Sequence, residues 1–412
     1  MKSNSFPSAK VALIAFGILL FAGAVWLVYH VSEDREIEEE IAVWPEYREV
    51  KEEIALWPKH GGNLQNTGFT TCEAPVEPPA VKWEFSLNSV GSGPAIAGGK
   101  IFFGSTDNHL YALDFETGEQ IWKFPTGELI SSTPAIANGK VFFGSFDRRF
   151  YAVDINTGKE LWRFSTGYQI SSSPAIYDGL VLFGGRDNNF YALDMETGEE
   201  MWRFETGNWV YDDPAIINGT VFFGSSDNHL YAVDIETGQE KWSFRAGSCV
   251  KTPAIADSTV FFGSRDNHLY ALDISTGTEK WKFQADDIVA KTAVAHGKVF
   301  FGSADQHLYA LDMETGREVW RFKTSGVPYS APVIAGETVY FGCSEDRVRG
   351  IRDENYFYAV DVKTGEERWR FSVIGDHIKT AAIADGKIFF GTAKHPLSEN
   401  PLFYALKDIH EN

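Results

Sequence analysis

Carboxylates recur in this 412-residue chain at a nearly fixed interval: Asp107, Asp147, Asp187, Asp227, Asp266 and Asp305 each follow an F-G-x-x stretch. A lone acid in such a place could serve as a general base or a metal ligand. Six acids in equivalent places serve the repeating unit instead, each closing a turn onto backbone N–H groups. Chemistry is better sought where the copies differ. The position two before each P-A-I-like proline reads Ser92, Ser132, Ser172, Asp212, Lys251, Ala290, Ser330 and Lys379, and the next position adds Asp213 and Lys291. Asp212 and Asp213, flanked by Trp209 and Tyr211, therefore stand near Lys251 and Lys291. Two roles are open to them: a neutralising ion-pair cluster between adjacent units, or a polar site for a small ligand or a peptide end. Cys72, Cys249 and Cys343 form no CxxC pair and no metal-ligand cluster. No catalytic, cofactor or metal residue is assigned.

The elements that position these residues follow from the repeat. Gly104, Gly144, Gly184, Gly224, Gly263, Gly302, Gly342 and Gly391 mark one strand of each copy, and Tyr111, Tyr151, Tyr191, Tyr231, Tyr270, Tyr309, Tyr358 and Tyr404 the next. Each unit parses into four short strands: PAIA, KVFFGS after an Asn-Gly-like turn, RFYAVD, and ELWRF entered through D-x-x-T-G. Asn218-Gly219-Thr220 has the form of a glycosylation acceptor but falls in such a turn. Four antiparallel strands about every 40 residues predict a propeller blade.

A tryptophan sits in the fourth strand at Trp122, Trp162, Trp202, Trp242, Trp281, Trp320 and Trp369, while the last unit lacks one. A stray fourth strand, VKWEF with Trp83, stands before the first unit. Seven complete copies and one split copy predict an all-β, eight-bladed propeller over 81–412, the N-terminal strand closing the last blade and removing an open sheet edge.

The stretch A-x-D-x-x-T-G-x-x-x-W, as in Ala112, Asp114, Thr117, Gly118 and Trp122, resembles the tryptophan-docking motif of the pyrroloquinoline quinone (PQQ) quinoprotein propellers. WPKHGGNLQNTGFT, 57–70, is similar to the segment that precedes such domains. The resemblance implies that each indole packs on a neighbouring blade near the glycines Gly118, Gly158, Gly198, Gly238, Gly277, Gly316 and Gly365. That family includes dehydrogenases of alcohols or sugars, which hold PQQ and calcium with an adjacent-cysteine disulfide and long insertions. It also includes BamB-like exported propellers, which catalyse nothing and bind protein at their rims. First units of 39–40 residues and the absence of a Cys-Cys pair point to the second class: a protein-binding scaffold with no cofactor. PQQ-dependent dehydrogenation is the alternative.

The net charge of −20 argues against nucleic acid. Residues 11–29 begin with an uncharged apolar run, preceded by Lys2 and Lys10 and followed by many acids. This predicts a transmembrane signal anchor, with residues 1–10 cytoplasmic and the propeller outside; the competing reading is a signal peptide cleaved at Ala22-Gly23-Ala24, which exports the propeller equally. An acidic stalk and linker spans 30–80. Two insertions, within 343–355 and 394–401, rise from one rim of neighbouring blades. Arg347, Arg349 and Arg352 make that rim locally basic, and a protein partner is expected either there or at the channel mouth.

Overall fold

Strand-forming V-F-F-G and L-Y-A-L-D runs, separated by turns that need a left-handed residue, leave each unit of the chain one economical arrangement: an antiparallel meander. The computed structural model describes residues 57–344, 355–393 and 402–409, with short strands upstream at Ile14–Leu19, Ala24–Tyr29 and Glu39–Glu40. It divides into one unit spanning Met1–Glu52 and another spanning Glu53–Asn412. In the second unit the strands form eight sheets. Blades 1 to 7 span 95–125, 135–165, 175–205, 215–245, 254–284, 289–323 and 333–372. Blade 8 joins strands within 376–407 to Ala80–Ser86. The predicted closure is present: Ala80–Ser86 pairs antiparallel with Leu402–Lys407, setting Trp83 opposite Ala405. The turn at Asn218 has φ 48°, matching φ 47° at Asn138 in the preceding copy but one.

The middle strands of each blade are buried on both faces, so adjacent blades interlock through their phenylalanines. Phe150 stacks on Phe183 with centroids 4.1 Å apart, and Phe190 on Phe223 at 4.0 Å. Phe103 on Phe403 carries the same packing across the closing blade at 4.4 Å.

The docking motif supplies a second circumferential tie. Trp122 lies against Gly158 of the next blade and donates from Nε1 to the Ile155 carbonyl at 3.1 Å. The same pairing joins Trp83 to Gly118, Trp162 to Gly198, Trp202 to Gly238, Trp242 to Gly277, Trp281 to Gly316 and Trp320 to Gly365. Blade 8 has no D-x-x-T-G turn to receive Trp369. Its indole instead donates to the Pro75 carbonyl at 3.2 Å, which also accepts from the Tyr340 hydroxyl at 2.9 Å. The linker before the first strand thus stands in for the missing turn.

The repeated acids form a third tie. Asp147 Oδ1 accepts from the Arg149 N–H at 3.1 Å, the expected turn closure. Its Oδ2 accepts from the Tyr151 hydroxyl at 2.7 Å and from the Gly127 N–H of the preceding blade at 2.8 Å. The arrangement repeats at Asp187, Asp227 and Asp266. Held in this way, Asp147 raises the Tyr151 hydroxyl to about 12, burial being the larger cause.

The expected transmembrane helix over 11–29 is corrected. Ile14–Leu19 and Ala24–Tyr29 are strands paired antiparallel, with Phe16 opposite Leu27. Among the described residues no helix is long and apolar enough to cross a membrane. An unbroken apolar run has no polar face to reveal its period, so its sequence fits buried strands as well as a helix. The β-branched Val25 and Val28 favour the extended form.

Candidate functional site at the axial channel

The first strand of each blade is short and faces the axis, so the residues leading into it line the channel. At the first lead-in position the ring's serines serve their own blades. The hydroxyls of Ser92, Ser132 and Ser330 accept from the N–H groups of Gly104, Gly144 and Gly342 at 2.9, 3.2 and 2.9 Å. At the second position the side chains form a belt from blade to blade. Ser173 Oγ accepts from the Thr133 N–H at 3.0 Å, and Asp213 Oδ1 from the Ser173 N–H at 2.7 Å. Thr380 Oγ1 accepts from the Ala331 N–H at 3.2 Å. Asp213 is therefore a member of the belt that also carries a charge.

That charge is fully engaged. Asp213, 2% exposed, meets Lys291 Nζ at 2.7 Å through Oδ2, linking blade 4 to blade 6. Burial works against its ionised form. Lys291 and the Ser173 N–H outweigh that and hold the carboxyl below the ordinary carboxylate range. Asp212 pairs more loosely with Lys251 at 3.7 Å, and its Oδ1 accepts from the Thr252 hydroxyl at 3.3 Å. Lys251 Nζ also donates to the Tyr211 hydroxyl at 3.1 Å. The ion-pair expectation thus describes Asp212 with Lys251 in neighbouring blades, while Asp213 with Lys291 skips a blade. Trp209 is not part of this network: it is 43% exposed, with the Arg186 guanidinium 5.6 Å from its ring centroid. Arg347, Arg349 and Arg352 lie outside the described residues, as do 345–354 and 394–401.

The sequence reading did not place the lead-in segment, which enters the ring itself. Its backbone carbonyls accept from first-strand N–H groups in six blades. Trp57, Pro58 and Leu64 receive Ile96, Ile136 and Ile216, while Gln65, Thr67 and Gly68 receive Ile255, Val294 and Ile334, all at 2.7–2.9 Å. Asn66 Nδ2 donates to the carbonyls of Pro214 and Pro253. Lys59 Nζ donates to Asn66 Oδ1 at 2.6 Å. His60 Nε2 sits 3.4 Å from both Asp213 Oδ2 and Lys291 Nζ. Burial, then Lys291, lowers His60 to about 3, so the ring is neutral and does not cancel the lysine. The sequence marked 57–70 only by its similarity to segments that precede such domains, which gives no place in the ring.

Lys379 completes the group. Among the described residues it has no carboxylate partner, and burial, then Lys291, lowers it to about 8 from 10.5. Between these values the unfolded chain binds more protons than the folded one, so stability rises with pH across about 8 to 10.5. Lys379→Met is expected to raise the melting temperature at pH 7 and to flatten that rise, as read by thermal melts from pH 7 to 10.5. An unchanged pH profile would count against a charged Lys379 in the channel. Among the described residues no group of three His, Cys, Asp or Glu side chains is placed to hold a metal ion.

A closed ring of eight tryptophan-docked four-stranded blades defines the quinoprotein-like propellers. Within that class, the family model described as outer membrane protein assembly factor BamB matches residues 76–176, 147–252 and 246–384, and the chain belongs to that family. No curated protein matches it. Among solved structures, it is similar to BamB from Moraxella catarrhalis at 17% identity, with TM-score 0.66, covering 81% of this chain and 99% of that one. It is also similar to the quinohemoprotein alcohol dehydrogenase from Comamonas testosteroni at 15% identity, with TM-score 0.73, covering 85% and 80%. The computationally designed Ika8 protein matches at 18% identity, with TM-score 0.66, covering 77% and 97%. Likenesses this remote establish the fold and leave the chemistry open.

Proposed function

We propose that the chain is a non-catalytic scaffold outside the cytoplasm, binding protein partners by the rim of its propeller. The observation that carries this reading is the lead-in segment. Residues 57–68 run round the inner edge of the ring and bring His60 onto the Asp213–Lys291 pair, taking up space on the axis. The family description, outer membrane protein assembly, supplies the partner class: components that assemble or deliver outer-membrane proteins. The insertions within 343–355 and 394–401, with Arg347, Arg349 and Arg352, are the proposed contact on an otherwise acidic molecule. The apolar N-terminal run following Lys2 and Lys10 is proposed to direct export.

The full-length chain is expected to develop no quinone absorbance on incubation with PQQ and calcium, and to oxidise no alcohol or sugar. The fold shared with quinohemoprotein alcohol dehydrogenases makes this the decisive comparison, and a quinone signal with dye-linked oxidation would replace the scaffold by the dehydrogenase. Deleting 345–354 is expected to abolish co-purification of outer-membrane assembly components from membranes. Retention of every partner would remove the rim from the proposal.

A further inference from the structure

A cavity of about 400 Å³ opens beside the ion pairs, lined by Asp212, Lys251, Arg265, Ile288, Ala290, Lys291 and Tyr329. Its charge runs against that of the whole molecule, which is −20. Lys291 is neutralised by Asp213 at 2.7 Å, but Arg265 has no carboxylate partner among the described residues, and Lys251 is only loosely paired at 3.7 Å. The cavity therefore holds an excess of positive charge. A concave, partly desolvated site concentrates such a field and selects an anion.

Two further features restrict the anion. Asp212 is 6% exposed, and its Oδ2 makes no hydrogen bond, with only the Lys251 ammonium beside it at 3.7 Å. A buried carboxylate oxygen so loosely satisfied gains from a hydroxyl or N–H donor. On another wall, Tyr329 is 41% exposed and Ile288 and Ala290 are partly buried, giving an aromatic and aliphatic surface inside a charged cavity. Cations, one acceptor and an apolar wall together match a ring that carries a carboxylate, hydroxyls and a less polar face.

We propose that this cavity binds a sugar acid of the uronic class, with its carboxylate on Arg265 and Lys251, a ring hydroxyl donating to Asp212, and its less polar face against Tyr329 and Ile288. The serines at the first lead-in position explain how the site arose on a symmetric ring. Where serine gives way to Asp212, Lys251 and Ala290, the hydroxyl that satisfied its own blade is replaced by groups free to line the cavity or by open space. The site is independent of the rim, so a scaffold that docks protein there could carry it too.

Isothermal titration of the full-length chain with galacturonate, galactose and acetate tests the assignment. Galacturonate is expected to bind at least tenfold more tightly than galactose, which lacks the charge, and than acetate, which lacks the ring. Arg265 is exposed, so Arg265→Ala should fold normally and weaken galacturonate at least tenfold. Lys159→Ala, an exposed lysine in the turn before the fourth strand of blade 2, should leave it unchanged. Raising the salt concentration should weaken galacturonate more than galactose. The proposal falls if galacturonate does not bind, if acetate or galactose binds equally well, or if Arg265→Ala binds as wild type does.

Discussion

Asp213→Asn is expected to destabilise the propeller by about 3 kcal/mol, the lower end of what removing one partner of a buried ion pair costs. The lower end applies because Lys291 keeps 27% of its side chain exposed and water can take up part of its charge. Asparagine retains an oxygen for the Ser173 N–H, so the belt survives and the loss reports the charge alone. Asp213→Asn combined with Lys291→Met should recover most of the stability, because the orphaned ammonium is gone. A second signature is the pH dependence. The folded-state pKa of Asp213 is depressed below its unfolded value, so its contribution is fully present above about pH 4 and disappears as pH falls through the folded-state value. The difference in unfolding free energy between wild type and Asp213→Asn should therefore shrink from pH 5 down to pH 2. Chemical denaturation across that range measures it, and a constant difference would mean that the carboxylate is not ion-paired.

The other large effect separates two glycines of like backbone geometry. Gly139 and Gly158 both take left-handed conformations, with φ 70° and 67°. A Cβ on Gly139 would meet nothing within 4 Å, whereas on Gly158 it would fall 2.7 Å from the Trp122 ring. Gly139→Ala should cost about 1 kcal/mol, the ordinary penalty for an L side chain in that region. Gly158→Ala adds displacement of a docked indole and loss of its bond to the Ile155 carbonyl, and about 3–4 kcal/mol is expected in all. Thermal melts of the two variants, with tryptophan fluorescence as the second readout, make the comparison. Equal losses would show that the glycine is chosen for its backbone alone. A red-shifted emission in Gly158→Ala only would show the indole leaving its seat.

The ring was legible in the sequence because every structural duty is written repeatedly. Eight glycines, eight tyrosines and seven tryptophans fixed the strands, and Trp83 out of place gave the closure. The repeated aspartates were read correctly as serving the blade. Their grip on the preceding blade was not readable, because the donor, the Gly127 N–H, belongs to the main chain and has no side-chain signature. The same reason hid the lead-in: its carbonyls accept from six blades, and carbonyls look alike in any sequence. Asp212, Asp213, Lys251 and Lys291 stood out by breaking the pattern, and the structure gathers them. Arg265 and Tyr329 did not, since exposed residues vary freely from copy to copy. The N-terminal apolar run misled in the ordinary way of uniform sequence, where composition is clear and period is absent.

Closing the ring with Ala80–Ser86 has a consequence for how the molecule is made. Ala80–Ser86 leaves the ribosome before blade 1 and must wait for its partner, Leu402–Lys407, more than 300 residues behind it. Until then the early strand presents an unpaired edge. A chain broken off before Leu402 can build blades 1 to 7 and still leave two raw margins exposed to any protease that inspects them. The seam therefore ties the burial of an early strand edge to the synthesis of a strand more than 300 residues later.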